Sequence, residues 1–127
     1  MSTKQDVQSK LKDDRIEYLL AQFVDINGSP KVKMVPVDSF DDIVDEGAGF
    51  AGAALEGMGQ GPHSHDMMAR PDMDSYTPLP WRDGVARFAC DLFVDDEPHM
   101  YCPRQNMKRV LSDVNAAGYS FQVGIEP

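Results

Sequence analysis

The sequence predicts an α+β domain in which four or more strands pack on one main helix. Asn-Gly at 27–28 and Asp-Gly at 83–84 each lie between apolar runs, and both dipeptides indicate turns between strands. Apolar residues over 107–114 recur at i, i+3, i+4 and i+7, which predicts a long amphipathic helix near the C-terminus. Two hairpins, followed by that helix and a last strand, therefore define the predicted architecture.

The first half of the chain carries clear signals for helix and strand ends. Thr3 and Asp6 have the spacing of a capping box, so a helix is expected to begin there. Gly47 is expected to end a second, shorter helix. The predicted elements are a helix at 3–13, strands at 16–26 and 31–37, and a helix at 40–45.

The second half contains prolines that limit its strands and open its helix. Two prolines within 75–81 restrict that segment to an edge strand, because proline cannot donate to a ladder. Pro103 suits the first turn of a helix, and Gly118 is expected to follow its last residue. The predicted elements are strands at 75–81, 85–94 and 99–101, a helix beginning at Pro103 and a strand at 119–125.

The segment 47–72 is the most unusual part of the sequence. Its 26 residues include six glycines and two prolines and show no apolar periodicity. A long segment without its own secondary structure is usually a functional loop or disordered. Because it also carries Phe50, Leu55 and three methionines, we expect an ordered binding loop. The alternative is a flexible connector between two subdomains.

Composition limits the classes of function. A length of 127 residues suits one domain, and a net charge of −9 argues against a nucleic-acid partner. No apolar run approaches 18 residues and the N-terminus lacks the apolar core of a signal peptide, so no membrane association is expected. Two cysteines are too few for a disulfide framework. The expected location is the cytoplasm.

Several residues have competing interpretations. Cys90 lies in an apolar run and is expected to be an inert core thiol, as is Cys102. His63, His65 and Asp66 could form a small metal site, but a structural zinc ion needs four ligands. Solvated polar side chains in a loop are the alternative for this cluster.

A series of short motifs in a fixed order resembles the N-terminal β-grasp domain of glutamine synthetases. The motifs are G-A-G-F-A-G at 47–52, H-D-M at 65–67, R-P-D at 70–72, P-R at 103–104 and G-I-E-P at 124–127. The closest resemblance is to the bacterial type III and γ-glutamylmethylamide synthetase branch. It implies a β-grasp fold: a mixed, twisted sheet of four to six strands on one main helix, with a long glycine-rich loop. Residues 1–127 would be this domain, with a catalytic domain expected after Pro127.

The resemblance also implies an activity in nitrogen metabolism for the parent protein. Enzymes of this family are ATP-dependent ligases that join glutamate to ammonia, or to a small alkylamine, with Mg²⁺ or Mn²⁺. The family forms homo-oligomers, and this domain contacts its own catalytic domain and neighbouring subunits, completing a neighbour's active site. The isolated domain is therefore expected to bind no cofactor and to be inactive.

Individual site residues follow from the same resemblance. In the family loop G-x-G-F-D-G-S-S, the aspartate helps to bind ammonium and its position here is Ala51, while the two serines are Ala53 and Ala54. Asp66 keeps a carboxylate that could approach the amine, and Glu126 matches a metal ligand. The expected substrate loop comprises Phe50, Ala51, Gly52, Ala53 and Ala54.

The alanines favour an alkylamine over ammonia. An ammonium ion in a partly buried site needs an anion or several acceptors, which three alanines do not supply. A methyl group would gain roughly 0.8 kcal/mol when buried against them. Asp66 or Glu56 could restore a negative site, so ammonia stays open as a substrate. A stand-alone, ubiquitin-like β-grasp module that binds a protein partner is the alternative from a different class.

Overall fold

The computed structural model describes residues 1–125, which form three α-helices and a sheet. The helices are α1 (Lys4–Asp13), α2 (Phe40–Asp45) and α3 (Pro103–Ala116). The strands are β1 (Tyr18–Val24), β2 (Pro30–Pro36), β3 (Ala48–Phe50), β4 (Met67–Pro71), β5 (Thr77–Pro78), β6 (Val85–Val94) and β7 (Glu97–Pro98). In this described part of the chain, no helix is both long enough and apolar enough to cross a membrane.

Strand β6 is the centre of the sheet. The strand order is β2-β1-β6-β4-β3, and the two-residue strands β5 and β7 also pair with β6. The β1–β6 pair is parallel, with Tyr18 opposite Val85, whereas the remaining pairs are antiparallel. The predicted α+β class and mixed sheet are confirmed, and the short strands bring the total in residues 1–125 to seven.

Local sequence signals account for the start of α1 and for the end of α3. The Thr3 side chain accepts a hydrogen bond from the Asp6 amide, and the Asp6 carboxylate accepts one from the Thr3 amide, so the predicted capping box is present. After α3, Gly118 has φ +85° and donates to Asn115, while Tyr119 donates to Val114, which is a Schellman motif.

The turn between β1 and β2 depends on a buried carboxylate. Asp25 Oδ1 accepts hydrogen bonds from the amides of Asn27 and Ser29, each at 2.9 Å. Gly28 adopts φ +78°, a conformation that glycine reaches without strain. The hairpin predicted from Asn27-Gly28 is confirmed, and Asp25 satisfies the amides of its turn.

The core lies between one face of the sheet and the helices α1 and α2. Phe88 is fully buried, with its ring centroid 6.1 Å from that of Phe40 on α2 and 5.7 Å from that of Tyr76. The other large buried side chains include Val7 and Leu11 from α1, Ile43 from α2, and Leu19, Phe23, Met67 and Leu92 from the strands. The two N-terminal helices therefore supply the helical layer of the core.

The packing of α3 differs from the prediction. The helix is present, but Met107 is 52% exposed and Val110 49% exposed. Met107 and Leu111 line a cleft of about 530 Å³ against Phe23 and Ala89, instead of filling the core. The periodicity identified the helix correctly, because the spacing of apolar residues shows that they share one face of a helix. The spacing does not show how completely the rest of the protein covers that face.

Four other predictions need correction. The segment 47–72 is not free of regular structure, because it contains β3 and β4. The edge strand predicted at 75–81 is reduced to Thr77–Pro78, and the short strand lies at Glu97–Pro98 instead of 99–101. No strand forms over 119–125 in the described structure, where the side chains of Tyr119, Phe121, Val123 and Ile125 are exposed. Alternating apolar residues form a strand only where a neighbouring strand offers hydrogen bonds.

Both cysteines are buried free thiols, as predicted. Burial in the apolar environment of β6 raises the pKa of Cys90 to about 12. Because the thiolate is the reactive form, Cys90 is inert at neutral pH.

Gly47 provides a stability test of the turn before β3. It has φ +102°, and an added Cβ would lie 3.0 Å from Met68 Cβ and 3.3 Å from the Ala69 amide nitrogen. Gly47→Ala is expected to lower the free energy of unfolding by about 1–3 kcal/mol. The backbone strain at this φ and the close contact of the new Cβ with β4 both destabilise the folded state. Urea denaturation of the chain measures this change.

The matched control is Gly61→Ala. Gly61 has open space around the added Cβ and no left-handed φ, so its effect should stay within about 0.5 kcal/mol. Equal stability of the two variants would contradict the assigned strain at Gly47.

Candidate functional site

The glycine-rich loop, defined by the structure as residues 51–66, connects β3 to its antiparallel partner β4. Phe50 pairs with Met67 in the last register position of the two strands. Ala51 and Asp66 are the next residues on the two sides, so they leave the sheet beside each other. The structure therefore brings the predicted substrate loop and the predicted amine-site carboxylate to the same end of the sheet.

The first part of the loop is a 3-10 turn, which we call the alanine turn (residues 51–54). The amide of Ala54 donates to Ala51 O and the amide of Leu55 donates to Gly52 O, both at 3.0 Å. Ala51, Ala53 and Ala54 are exposed, whereas Gly52 is buried. The turn thus presents three methyl groups to the surroundings, at the positions where the sequence resemblance expects a carboxylate and two hydroxyls.

Phe50 holds the start of the loop to the sheet. Its ring meets that of Phe23 edge to face, with centroids 5.0 Å apart, and Lys33 Nζ lies 5.6 Å from the Phe50 ring centroid. Lys33 also donates a hydrogen bond to Gly49 O. Phe50 is half-buried by these contacts, so its role in the structure is to anchor the alanine turn.

The middle of the loop is anchored by Met58 and Gln60. Met58 is fully buried, and its carbonyl oxygen lies 2.8 Å from His99 Nε2. Gln60 Nε2 donates to His65 O at 2.8 Å, which is a local bond within the second half of the loop. Neither Gln60 nor His99 lies in an apolar pattern or in a recognisable motif, so the sequence predicts no role for them.

Asp66 is exposed at the end of the loop. An added Cβ on Gly49 would lie 3.8 Å from Asp66 Oδ2, so the carboxylate is close to the backbone of β3. Its exposure leaves it accessible to a cationic group from outside the chain. Glu126, predicted as a metal ligand, lies outside the described residues.

The two loop histidines do not form a metal site with Asp66. Among residues 1–125, no group of three or more His, Cys, Asp or Glu side chains is arranged to hold a metal ion. His65 Nδ1 instead lies 2.5 Å from Asp95 Oδ1, in the turn between β6 and β7. The hydrogen bond and charge of Asp95 raise the pKa of His65. This pair holds the second limb of the loop to that turn.

A network of four charged side chains holds α3 to the sheet. Arg104 donates to Asp91 at 2.9 Å and to Asp72 at 2.8 Å, and Lys108 Nζ lies 2.6 Å and 3.0 Å from the same two carboxylates. Burial alone would raise the pKa of Asp72, but hydrogen bonds from Lys108 and Arg104 outweigh it and lower the pKa. The R-P-D motif at 70–72 thus has a structural role at its aspartate.

The Asp72 network predicts a loss of stability in acid. The folded-state pKa is below the ordinary value of 3.8, so its contribution is present above that value and is lost as pH falls through the folded pKa. Asp72→Asn should lower the free energy of unfolding at pH 7 by about 1 kcal/mol, because the pairs are partly exposed. The difference from the wild type should shrink as the pH falls below 4.

Urea denaturation at a series of pH values between 7 and 3 tests this expectation. Asp83→Asn is the control, since Asp83 is exposed in a turn and has no ion pair within the described residues. A difference between wild type and Asp72→Asn that is independent of pH would contradict the assignment.

Comparison with known proteins identifies related sequences and folds. Residues 15–95 match the family described as "Glutamine synthetase, beta-Grasp domain". A glutamate–methylamine ligase from Methyloversatilis universalis is 43% identical over 123 residues, covering 96% of this chain and 28% of that protein. A glutamine synthetase from Staphylococcus aureus is 36% identical, covering 98% of this chain and 29% of that protein. The chain therefore spans less than a third of the length of these relatives.

Solved structures agree with this comparison. A structure described as apo GmaS without ligand superposes with a TM-score of 0.84 and 33% identity, over 89% of this chain and 27% of that chain. A GmaS complex with ADP gives a TM-score of 0.82 and 32% identity, over 88% of this chain and 26% of that chain. A glutamine synthetase from Plasmodium falciparum gives a TM-score of 0.80 at 16% identity, over 93% of this chain and 23% of that chain, and shares the fold.

Proposed function

This chain belongs to the glutamine synthetase family through its β-grasp domain, and on that premise we propose that it is the N-terminal domain of an ATP-dependent ligase joining glutamate to a small alkylamine. The proposed parent enzyme carries a catalytic domain after residue 127 and acts in nitrogen metabolism in the cytoplasm. In a homo-oligomer, the domain would complete the active site of a neighbouring subunit. The similarity to a glutamate–methylamine ligase and to glutamine synthetases supports this proposal.

The alanine turn is the structural feature that supports an alkylamine as the substrate. Its three exposed methyl groups lie next to the end of β3, where they offer an incoming substrate an apolar surface. Ammonium gains nothing from such a surface, because it has no apolar atoms to bury. Methylamine gains roughly 0.8 kcal/mol for its buried carbon, which is about fourfold in affinity. An alkylamine acceptor therefore fits the turn better than ammonia.

Asp66 would supply the polar side of the same site. A protonated amine needs a partner for its charge and must lose a proton before it can act as a nucleophile. Asp66 is exposed and leaves the sheet beside Ala51, so its carboxylate can hold the ammonium group while the methyl group contacts the alanines. In this proposal Asp66 positions the amine and accepts its proton.

In this proposal, the nucleotide and metal bind to other parts of the parent enzyme. Residues 1–125 contain no cluster of three or more metal-ligating side chains. The sequence has no glycine-rich phosphate loop with a lysine. We assign ATP and Mg²⁺ or Mn²⁺ to the remainder of the parent enzyme, with Glu126 as one proposed metal ligand. These groups would activate glutamate as an acyl phosphate, which the amine then attacks.

The test is a comparison of amine substrates with the full-length enzyme. Initial rates with glutamate and ATP are measured as phosphate release, with methylamine or ammonium varied, and the products are identified by mass spectrometry. The expected result is γ-glutamylmethylamide formation, with kcat/KM at least roughly fourfold higher for methylamine than for ammonia. A clear preference for ammonia would contradict the proposed acceptor, and absence of either amide would contradict the proposed ligase activity.

A further inference from the structure

Gln60 packs closely against Gly52 of the alanine turn. A Cβ added to Gly52 would lie 1.4 Å from Gln60 Oε1 and 2.4 Å from Gln60 Cδ. Gly52 does not adopt a left-handed φ, so its backbone conformation is accessible to any residue. A larger residue at position 52 would therefore displace the flexible end of the Gln60 side chain from the alanine turn.

The hydrogen bonds of Gln60 show which part of its side chain is used. Its Nε2 group donates to His65 O at 2.8 Å. Its Oε1 atom is buried and, within residues 1–125, has no hydrogen-bond partner. A buried acceptor without a partner is unfavourable, so packing alone would be served better by an apolar side chain of similar shape. The amide is therefore best explained by the bond that its donor makes to the residue before Asp66.

This side chain spans the two sides of the proposed amine site. Gly52 follows Ala51 directly, and His65 precedes Asp66 directly. Gln60 thus contacts the immediate neighbours of the apolar group and of the carboxylate that would bind the amine. A movement of Gln60 would change the spacing between Ala51 and Asp66 without removing either residue.

We infer that Gln60 is a positioning residue for amine ligation, which sets the spacing between the alanine turn and Asp66 by packing on Gly52 and bonding to His65 O. The role in amine binding rests on the proposed function, whereas the positioning of the turn does not. Misplacement of a binding group by about 1 Å can lower a rate by roughly a hundredfold. Gln60 would consequently affect the amine far more than glutamate.

The first experiment measures steady-state kinetics of the full-length enzyme for three variants. Gln60→Ala removes both contacts, Gln60→Met keeps most of the volume but removes the donor, and Gly52→Ala with Gln60→Ala fills part of the vacated space. Gln5→Ala is the control, because Gln5 is exposed on α1. The readouts are KM for methylamine, KM for glutamate and kcat.

The second experiment measures hydrogen exchange at the amides of Ala54 and Leu55 in the same proteins. These two amides make the hydrogen bonds of the alanine turn, so their protection reports its order without any substrate. Loss of the bond to His65 O is expected to speed exchange by roughly fivefold to tenfold in Gln60→Ala. The double variant should recover part of the protection, and Gln5→Ala should match the wild type.

The kinetic expectation is a KM for methylamine raised by roughly tenfold or more in Gln60→Ala, with KM for glutamate unchanged. Gln60→Met should fall between Gln60→Ala and the wild type. Unchanged exchange in Gln60→Ala would overturn the positioning role. Faster exchange with equal changes in both KM values would overturn the amine-specific role. A wild type that ligates neither amine would refute the proposed function alone, because the exchange result is independent of activity.

Discussion

Replacing Ala51 with Asp and Ala54 with Ser is expected to shift the full-length enzyme from methylamine towards ammonia by roughly tenfold to a hundredfold in relative kcat/KM. The introduced carboxylate would lie beside Asp66 at the end of the sheet, where it could accept hydrogen bonds from ammonium. Methylammonium has a methyl group in place of one N–H, so ammonium can make one more hydrogen bond to the carboxylates. That bond contributes about 1.5–3 kcal/mol, whereas burying one methyl carbon gains roughly 0.8 kcal/mol. The hydrogen bonds to the new carboxylate should therefore decide which amine the enzyme prefers.

The measurement is competition between the two amines, with both amide products quantified from one reaction. Ala53→Ser is the matched control, since it adds a hydroxyl to the same exposed turn without adding a charge. Its effect on the product ratio should be small compared with that of the double variant. A double variant that folds and keeps the wild-type product ratio would contradict the role of the alanine turn in choosing the amine.

Phe88→Ala is expected to destabilise the chain by about 3–5 kcal/mol, which is comparable to the whole stability of many small domains. Phe88 is fully buried in the central strand β6, between Phe40 and Tyr76. Its removal loses apolar burial and leaves a cavity that these rings cannot fill without moving. Denaturant unfolding followed by circular dichroism measures the change.

Phe121→Ala provides the same substitution on the surface. The Phe121 side chain is 60% exposed, so its removal should change stability by no more than about 0.5 kcal/mol. A loss of stability in Phe121→Ala similar to that in Phe88→Ala would show that residues 119–125 contribute to the core, contrary to the structure.

The sequence predicted the elements that depend on local signals. The capping box at Thr3, the turn at Gly28 and the prolines and glycines that bound α3 act within a few residues, so each could be identified from its immediate neighbours. Strand β6 was predicted with its observed bounds of 85–94, because a turn signal precedes a largely apolar run there.

The predictions that failed depend on contacts between distant residues. Strands β3 and β4 contain a glycine, two methionines and a proline, and they form because β6 offers an edge to β4. The segment 119–125 has a better strand pattern but no pairing partner within the described residues. Similarly, nothing in the apolar stripe of α3 indicates that Asp72 and Asp91 would hold that helix by ion pairs.

The candidate site was predicted in part. The positions of Ala51 and Asp66 at one end of the sheet agree with the motifs that identified the family, although their roles stay predictions. His99 could not be found in the same way, because only the fold brings it close to Met58, and the local bond from Gln60 to His65 follows no recognisable motif. A glutamine between glycines carries no sequence signal of packing.

The parallel pairing of β1 with β6 has a consequence for biosynthesis. Tyr18 and Val85 are paired although they lie 67 positions apart in the sequence (85 − 18), so a ribosome that adds about 5–20 residues per second takes roughly 3–13 s to supply the partner. During that time the β1–β2 hairpin can form, but the backbone edge of β1 that pairs with β6 has no partner. The nascent hairpin is thus an open edge, and chaperone capture in this interval would protect it from pairing with another chain.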